Sequence, residues 1–119
     1  MEKFVIYLLF SIKLFKKITM DIAIVGATGN VGRKTLEVLQ QKNLNIDNLY
    51  LVASPNSAGK QLEFNGKKYS IENLETYDFS KAKITFFAAG GKISEQYAPI
   101  AAQQSIVIDN SSFFRMDPD

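Results

Sequence analysis

The sequence contains no cysteine and no histidine. Without a thiol there is no disulfide, no thiolate nucleophile and no cysteine-ligated metal, and nothing marks a redox compartment. Without an imidazole there is neither the usual near-neutral acid/base nor a histidine metal ligand. Side-chain chemistry is therefore confined to Ser, Thr, Tyr, Lys, Arg and the carboxylates. No apolar run approaches the ~20 residues that span a bilayer. A large excess of either sign of charge is also lacking. The net charge is +2, and Lys3, Lys13, Lys16 and Lys17 against Glu2 place +3 of it on residues 1–20, leaving −1 on residues 21–119. A weakly acidic body excludes the clustered Lys and Arg of a nucleic-acid surface.

What is present fits one globular domain: 119 residues, 46% apolar and 22% charged. Such a chain can bury roughly two-thirds of its unfolded surface, enough for one core. Residues 4–10 (FVIYLLF) form an apolar run, extended by Ile12, Leu14 and Phe15. A signal peptide is not expected, because no small-x-small cleavage site follows and Lys13, Lys16 and Lys17 occupy the place of the cut. Met20 directly precedes DIAIVG, so residues 1–19 are expected to be a leader arising from an upstream start, with an amphipathic membrane contact as the alternative. The expected location is the cytoplasm.

From Met20 onward the signals are regular. Residues 21–25 (DIAIV) read as a buried parallel strand ending at Gly26. A helix is predicted next, capped by Asn30, with Val31, Thr35, Val38 and Leu39 facing the sheet. Residues 49–53 (LYLVA) make a second strand, followed by the loop SPNSAGK. Around Asn65-Gly66, residues 61–71 alternate, and a two-residue turn sets Glu63 opposite Lys68 and Leu62 opposite Tyr69. Residues 84–89 (ITFFAA) are a further strand. The helix after it is expected to be capped by Ser94, to bury Ile93, Tyr97, Ile100 and Ala101, and to be kinked by Pro99. Residues 105–109 (SIVID) close the series. This order predicts a Rossmann-like, doubly wound α/β half-domain with a mostly parallel sheet, in which a β-hairpin excursion replaces one crossover helix. Ligands of such sheets sit at the carboxyl ends of the strands.

On that rim, Gly26-Ala27-Thr28-Gly29-Asn30-Val31-Gly32 joins strand to helix, the context in which glycines signal a dinucleotide site. Gly26 is expected to permit the turn, Gly29 to admit a pyrophosphate close to backbone amides, and Gly32 to let helix and strand pack closely. No acid follows the second strand to bind a ribose 2′-hydroxyl. Ser54, Asn56, Ser57 and Lys60 offer donors instead, which favours NADP while leaving NAD possible. After the last strand, Arg115 presents a guanidinium fork suited to phosphate or carboxylate.

GATGNVG, SPNSAGK, FFAAGG and DNSSFFRMDPD, in that order and spacing, resemble the N-terminal part of aspartate-semialdehyde dehydrogenase over residues 20–119. The resemblance implies an NADP-dependent enzyme that reductively dephosphorylates aspartyl phosphate to aspartate semialdehyde, on the route to lysine, threonine, methionine and diaminopimelate. It implies that Thr28, Gly29, Asn30 and Val31 hold the pyrophosphate and that Asn56 and Ser57 meet the adenosine-phosphate end. Ala89, Gly90 and Gly91 would flank the dinucleotide, and Arg115 would bind the substrate phosphate. It also implies that the full-length enzyme is a homodimer or homotetramer, with a small-molecule substrate and no membrane span. Two positions depart from the pattern: Asn56 stands where an arginine is usual, and Phe113 where a small residue is usual. The family's catalytic cysteine and histidine have no counterpart here, so residues 20–119 are expected to be a cofactor domain that stops before the catalytic one. Rival expectations are an NADP-binding sensor, a remnant of a split gene, or a short-chain-type reductase. Tyr77 and Lys81 match the Tyr-x-x-x-Lys letters of the last, but only 45 residues after Gly32 and ahead of the third strand, so Tyr77 is expected in core or loop and Lys81 in solvent.

Overall fold

The computed structural model describes residues 20–42 and 44–109. In chain order the elements are β1 (Asp21–Val25), α1 (Asn30–Gln41), β2 (Asn48–Ala53), β3 (Gln61–Phe64), β4 (Lys67–Ser70), β5 (Glu72–Asn73), a short 3-10 turn (Phe79–Lys81), β6 (Ile84–Phe87), α2 (Gly91–Ala101) and β7 (Ile106–Asp109). Five strands form one sheet in the order β5-β2-β1-β6-β7, and every pairing in it is parallel. The central strands are apolar on both faces, as a sheet covered on both sides requires.

One face packs Ile22, Ile24, Leu49, Leu51, Ile84 and Phe86 against Leu36 and Leu39 of α1 and against Phe64 and Ile71 of the hairpin region. The other packs Ala23, Val25, Val52 and Phe87 against Leu74, Tyr77 and Phe79 and against Ala98 and Ala101 of α2. The hairpin β3–β4 takes the register its charges and apolar residues predict, Glu63 opposite Lys68 and Leu62 opposite Tyr69. Asn65 and Gly66, at φ 52° and 77°, make the turn in which both central residues need positive φ. Thus the excursion covers α1's side of the sheet, where a crossover helix would otherwise lie.

Several local expectations are corrected. Gly29, not Asn30, caps α1, and Gly90, not Ser94, caps α2; neither cap uses a side chain. Asn30 is α1's first residue, and Ser94 lies inside α2, fully buried. The buried stripe of α1 is Gly32, Leu36, Val38 and Leu39, while Val31 is 42% exposed. Ile100 is 50% exposed, because α2 turns the small residues Ser94, Ala98 and Ala101 inward instead. Pro99 lies inside α2, in its last turn, and has no N–H to give to the helix. β5 has no sequence periodicity at two residues and was not predicted; it extends the sheet beyond β2.

Candidate functional site

The helices follow β1 and β6, neighbours at the centre of the sheet, and run back along opposite faces. That is the switch point of a doubly wound sheet, where the loops diverge and leave a crevice at the strands' carboxyl ends. A cleft of about 290 Å³ lies there, lined by Gly26, Thr28 and Gly29 after β1, Ala53 and Ser54 at the end of β2, Leu74 beyond β5, Ala88 and Ala89 after β6, and Ile93 of α2.

The three glycines of the first loop have different physical reasons. Gly26 adopts φ 90° and lies against the β6 loop, where a Cβ would sit 2.8 Å from Ala88 and Ala89 atoms. A Cβ on Gly32 would sit 2.1 Å from the Gly26 carbonyl oxygen, so α1 approaches the turn too closely for any side chain. Gly29 has neither reason. Its backbone is extended (φ −82°, ψ 174°), and the nearest atom to an added Cβ is the Gly26 oxygen at 3.5 Å, an ordinary contact. Among the described residues nothing demands a glycine there, and the position lines the cleft.

Backbone donors lie beside the same place. The first helical bond of α1 runs from Arg33 N–H to Gly29 O (2.9 Å), so the amides of Asn30, Val31 and Gly32 have no acceptor within the helix. In α2 the first such bond runs from Ser94 N–H to Gly90 O (3.1 Å), which leaves Gly91, Lys92 and Ile93 in the same condition. Two helix N-termini with their partial positive charge thus flank the crevice. The rest of the lining is mostly apolar, with Thr28 and Ser54 as its polar side chains.

Of the residues singled out by sequence, Gly26, Thr28, Gly29, Ser54 and Ala89 line the cleft. Asn30, Val31 and Gly32 form α1's first turn beside it, and Gly90 and Gly91 open α2. Asn56 and Ser57 lie outside the lining, on a tight turn in which Ser57 and Ala58 N–H donate to Ser54 O at 2.9 and 3.2 Å. Asn56 is exposed there. Lys60, also exposed, follows that turn; its carbonyl accepts from Ile71 N–H at 2.7 Å. Arg115 and the rest of DNSSFFRMDPD after Asp109 lie outside the described residues, as does the leader, residues 1–19. Sequence reasoning missed the apolar walls Leu74 and Ile93. Leu74 is brought in by β5, its N–H donating to Ala53 O at 2.8 Å, and no pattern signals so short a strand.

Tyr77 and Lys81 do not form a reductase pair. Tyr77 is 8% exposed, packs edge-on to Phe79 and lies outside the cleft lining. Among the described residues its hydroxyl has no hydrogen-bond partner, and burial, with Glu72 as a lesser cause, pushes its pKa well above the ordinary tyrosine range. A catalytic tyrosine needs the opposite shift. Lys81 pairs with Glu72 at 3.7 Å across half-exposed side chains. The neighbouring Asp78 accepts from Ser80 Oγ at 2.7 Å and Ser80 N–H at 3.0 Å, bonds that hold its carboxyl below the usual range and start the 3-10 turn. Among the described residues no helix is long and apolar enough to cross a membrane.

Fold and site together define an α/β domain of the dinucleotide-binding class. The chain belongs to the semialdehyde dehydrogenase family: the model of that family's NAD-binding domain matches residues 21–119. It is 49% identical over 100 residues to aspartate-semialdehyde dehydrogenase 2 of Vibrio cholerae serotype O1, a match covering 83% of this chain and 30% of the relative. It is also 49% identical over 100 residues to the aspartate-semialdehyde dehydrogenase of Aquifex aeolicus, covering 82% and 29%. Among solved structures, aspartate semialdehyde dehydrogenase II of Vibrio cholerae, complexed with ASA, superposes with a TM-score of 0.79 at 48% identity, covering 86% of this chain and 34% of that one. A probable aspartate-semialdehyde dehydrogenase from Pseudomonas aeruginosa superposes at 0.77 with 33% identity, covering 81% and 29%. The chain therefore spans about 30% of the length of the curated relatives it matches.

Proposed function

We propose that the chain holds a nicotinamide dinucleotide, NADP in preference to NAD, in the rim cleft. In this reading it is the cofactor part, residues 20–119, of an enzyme that reductively dephosphorylates L-aspartyl-4-phosphate to L-aspartate 4-semialdehyde, for lysine, threonine, methionine and diaminopimelate biosynthesis. The observation that carries the reading is Gly29, a glycine the fold does not require, facing a cleft between two helix N-termini. A missing Cβ with no internal cause fits a ligand that approaches the backbone. The relatives support the chemistry, since those above are aspartate-semialdehyde dehydrogenases and one was solved with ASA.

The residues fit the group. Amides of Asn30, Val31 and Gly32 would donate to the pyrophosphate, with Thr28 and Gly29 shaping the approach, and Leu74 and Ile93 would enclose an apolar part of the ligand and exclude water. Ser54, with Asn56 and Ser57 on the turn, would meet the adenosine phosphate; Ala89, Gly90 and Gly91 would border the other side. When bound, the cofactor supplies the hydride that reduces the acyl group. Arg115 is assigned the substrate phosphate on the family's motif alone. The 119 residues contain no cysteine for a thioester and no histidine for acid/base work, so this chain supplies binding and orientation rather than the acyl-transfer groups. We place the protein in the cytoplasm, with the full-length enzyme a homodimer or homotetramer.

NADP preference rests on the absence of an acid after Ala53 and on the neutral donors of the turn. Titrating both cofactors at low salt into wild type and Asn56→Arg tests it. NADP is expected to bind modestly more tightly than NAD. The added guanidinium should strengthen NADP alone by about tenfold or more, since a hydrogen bond to a charged group contributes about 1.5–3 kcal/mol. Tighter NAD binding in wild type, or no gain for NADP in the variant, would remove the turn from the adenosine phosphate.

A further inference from the structure

We infer that Ser94 and Asp109 are positioning residues that hold the N-terminal turn of α2 at the cleft, an inference that rests on the dinucleotide reading above. Ser94 is completely buried, and its Oγ donates to Asp109 Oδ1 at 3.0 Å, across from α2 to the last residue of β7. Asp109 is itself fixed by the sheet, being paired in register with Phe87 at the end of β6. The bond therefore ties α2 to the carboxyl end of β7, the neighbour of β6, whose following loop lines the cleft.

Its position along α2 gives it leverage. Ser94 directly follows Ile93, a cleft wall, and the Ser94 N–H closes the helix's first turn on Gly90 O. One residue thus joins that turn both to its own start and to β7. The rest of the buried stripe, Ala98 and Ala101, is small. Methyl groups resist sliding and rotation of a helix weakly, because they insert little bulk between neighbouring side chains. Ile93 and Tyr97 add partly buried contacts from the same helix, and the directional hydrogen bond adds a fixed point between them. Without it the helix keeps its apolar contacts, but Ile93 and the amides of Gly91 and Lys92 lose a defined place at the rim.

Calorimetric titration of NADP and thermal unfolding, run on wild type, Ser94→Ala, Asp109→Ala and Asp109→Asn of the full chain, test the inference. Asparagine keeps an oxygen in the Oδ1 position, so Asp109→Asn should bind within about threefold of wild type. Ser94→Ala and Asp109→Ala, while still unfolding cooperatively, should each bind about tenfold more weakly, as loss of a bond worth about 1.4 kcal/mol gives. A purely structural role would lower the unfolding temperature of both alanine variants and leave affinity unchanged, overturning the inference alone. Equal weakening in Asp109→Asn would do the same, since the acceptor would then not be what matters. If one alanine variant fails to fold, the other with Asp109→Asn decides. Wild type that binds neither NADP nor NAD would overturn the dinucleotide reading and the positioning role with it.

Discussion

At the scale of single residues, Tyr77 shows how burial sets behaviour. Its ring earns its place among Phe79, Tyr50 and Phe87, with the Phe79 ring 5.1 Å away, while its hydroxyl goes unpaired. An unsatisfied buried hydroxyl costs about 1–3 kcal/mol. Tyr77→Phe is accordingly expected to raise stability by about 1 kcal/mol, or the unfolding midpoint by about 4–8 °C. The same burial makes a pH signature. The folded-state pKa lies above the ordinary value of 10.0. Above that value the unfolded chain releases the proton while the folded chain retains it, so stability is fully present below pH 10 and declines as pH rises further. Denaturant titrations at pH 8 and pH 11 should show a smaller alkaline loss in Tyr77→Phe than in wild type. Equal losses would mean that Tyr77 ionises freely in the fold. The letters Tyr-x-x-x-Lys carried none of this, because a motif records identities and not whether a hydroxyl faces a cleft or a core.

At the scale of elements, the strands were legible where composition and position agreed. β1, β2, β6 and β7 are apolar or β-branched runs, and the hairpin was marked by Asn65-Gly66. The helices were legible in place and partly in rotation: Val38, Leu39 and Ala101 are buried as the periodicity predicts. Helical periodicity admitted Val31 and Ile100 as inner residues, whereas the structure puts glycine, serine and alanine inward. Close approach to the sheet selects small side chains, and hydrophobicity does not register that selection. Caps were misread for a related reason: Asn30 and Ser94 are good capping types, yet Gly29 and Gly90 occupy the positions. The approach of α1 to its loop is testable. Gly32→Ala puts a methyl 2.1 Å from the Gly26 carbonyl oxygen, backbone that cannot swing aside. It should destabilise the domain by about 3 kcal/mol, at the upper end of overpacking costs. Denaturant unfolding measures this, and a loss under about 0.5 kcal/mol would show that helix and loop separate easily.

At the scale of the whole molecule, a sheet with central apolar strands and two helices on opposite faces creates the crevice as a consequence of topology, before any side chain is chosen. That is why glycine spacing and strand order sufficed to place most of the cleft. Leu74 and Ile93 were hidden, one because it depends on a two-residue strand and the other because it was read as plain core. Composition sets a further expectation. With no cysteine and no histidine, the 119-residue chain should produce no reduced cofactor above a protein-free blank from aspartate semialdehyde, phosphate and NADP. Protein-dependent turnover would show that another nucleophile serves. The central claim, that this cleft binds a dinucleotide through the backbone at Gly29, is tested most directly by calorimetric titration of NADP into wild type and Gly29→Val. An extended backbone suits valine, and its Cβ would meet only the Gly26 oxygen at 3.5 Å, so the variant should unfold within a few degrees of wild type. Its affinity should fall at least tenfold, because bulk would stand between the pyrophosphate and amides whose bonds to a charged group contribute about 1.5–3 kcal/mol each. Equal affinity in a folded Gly29→Val would contradict the account.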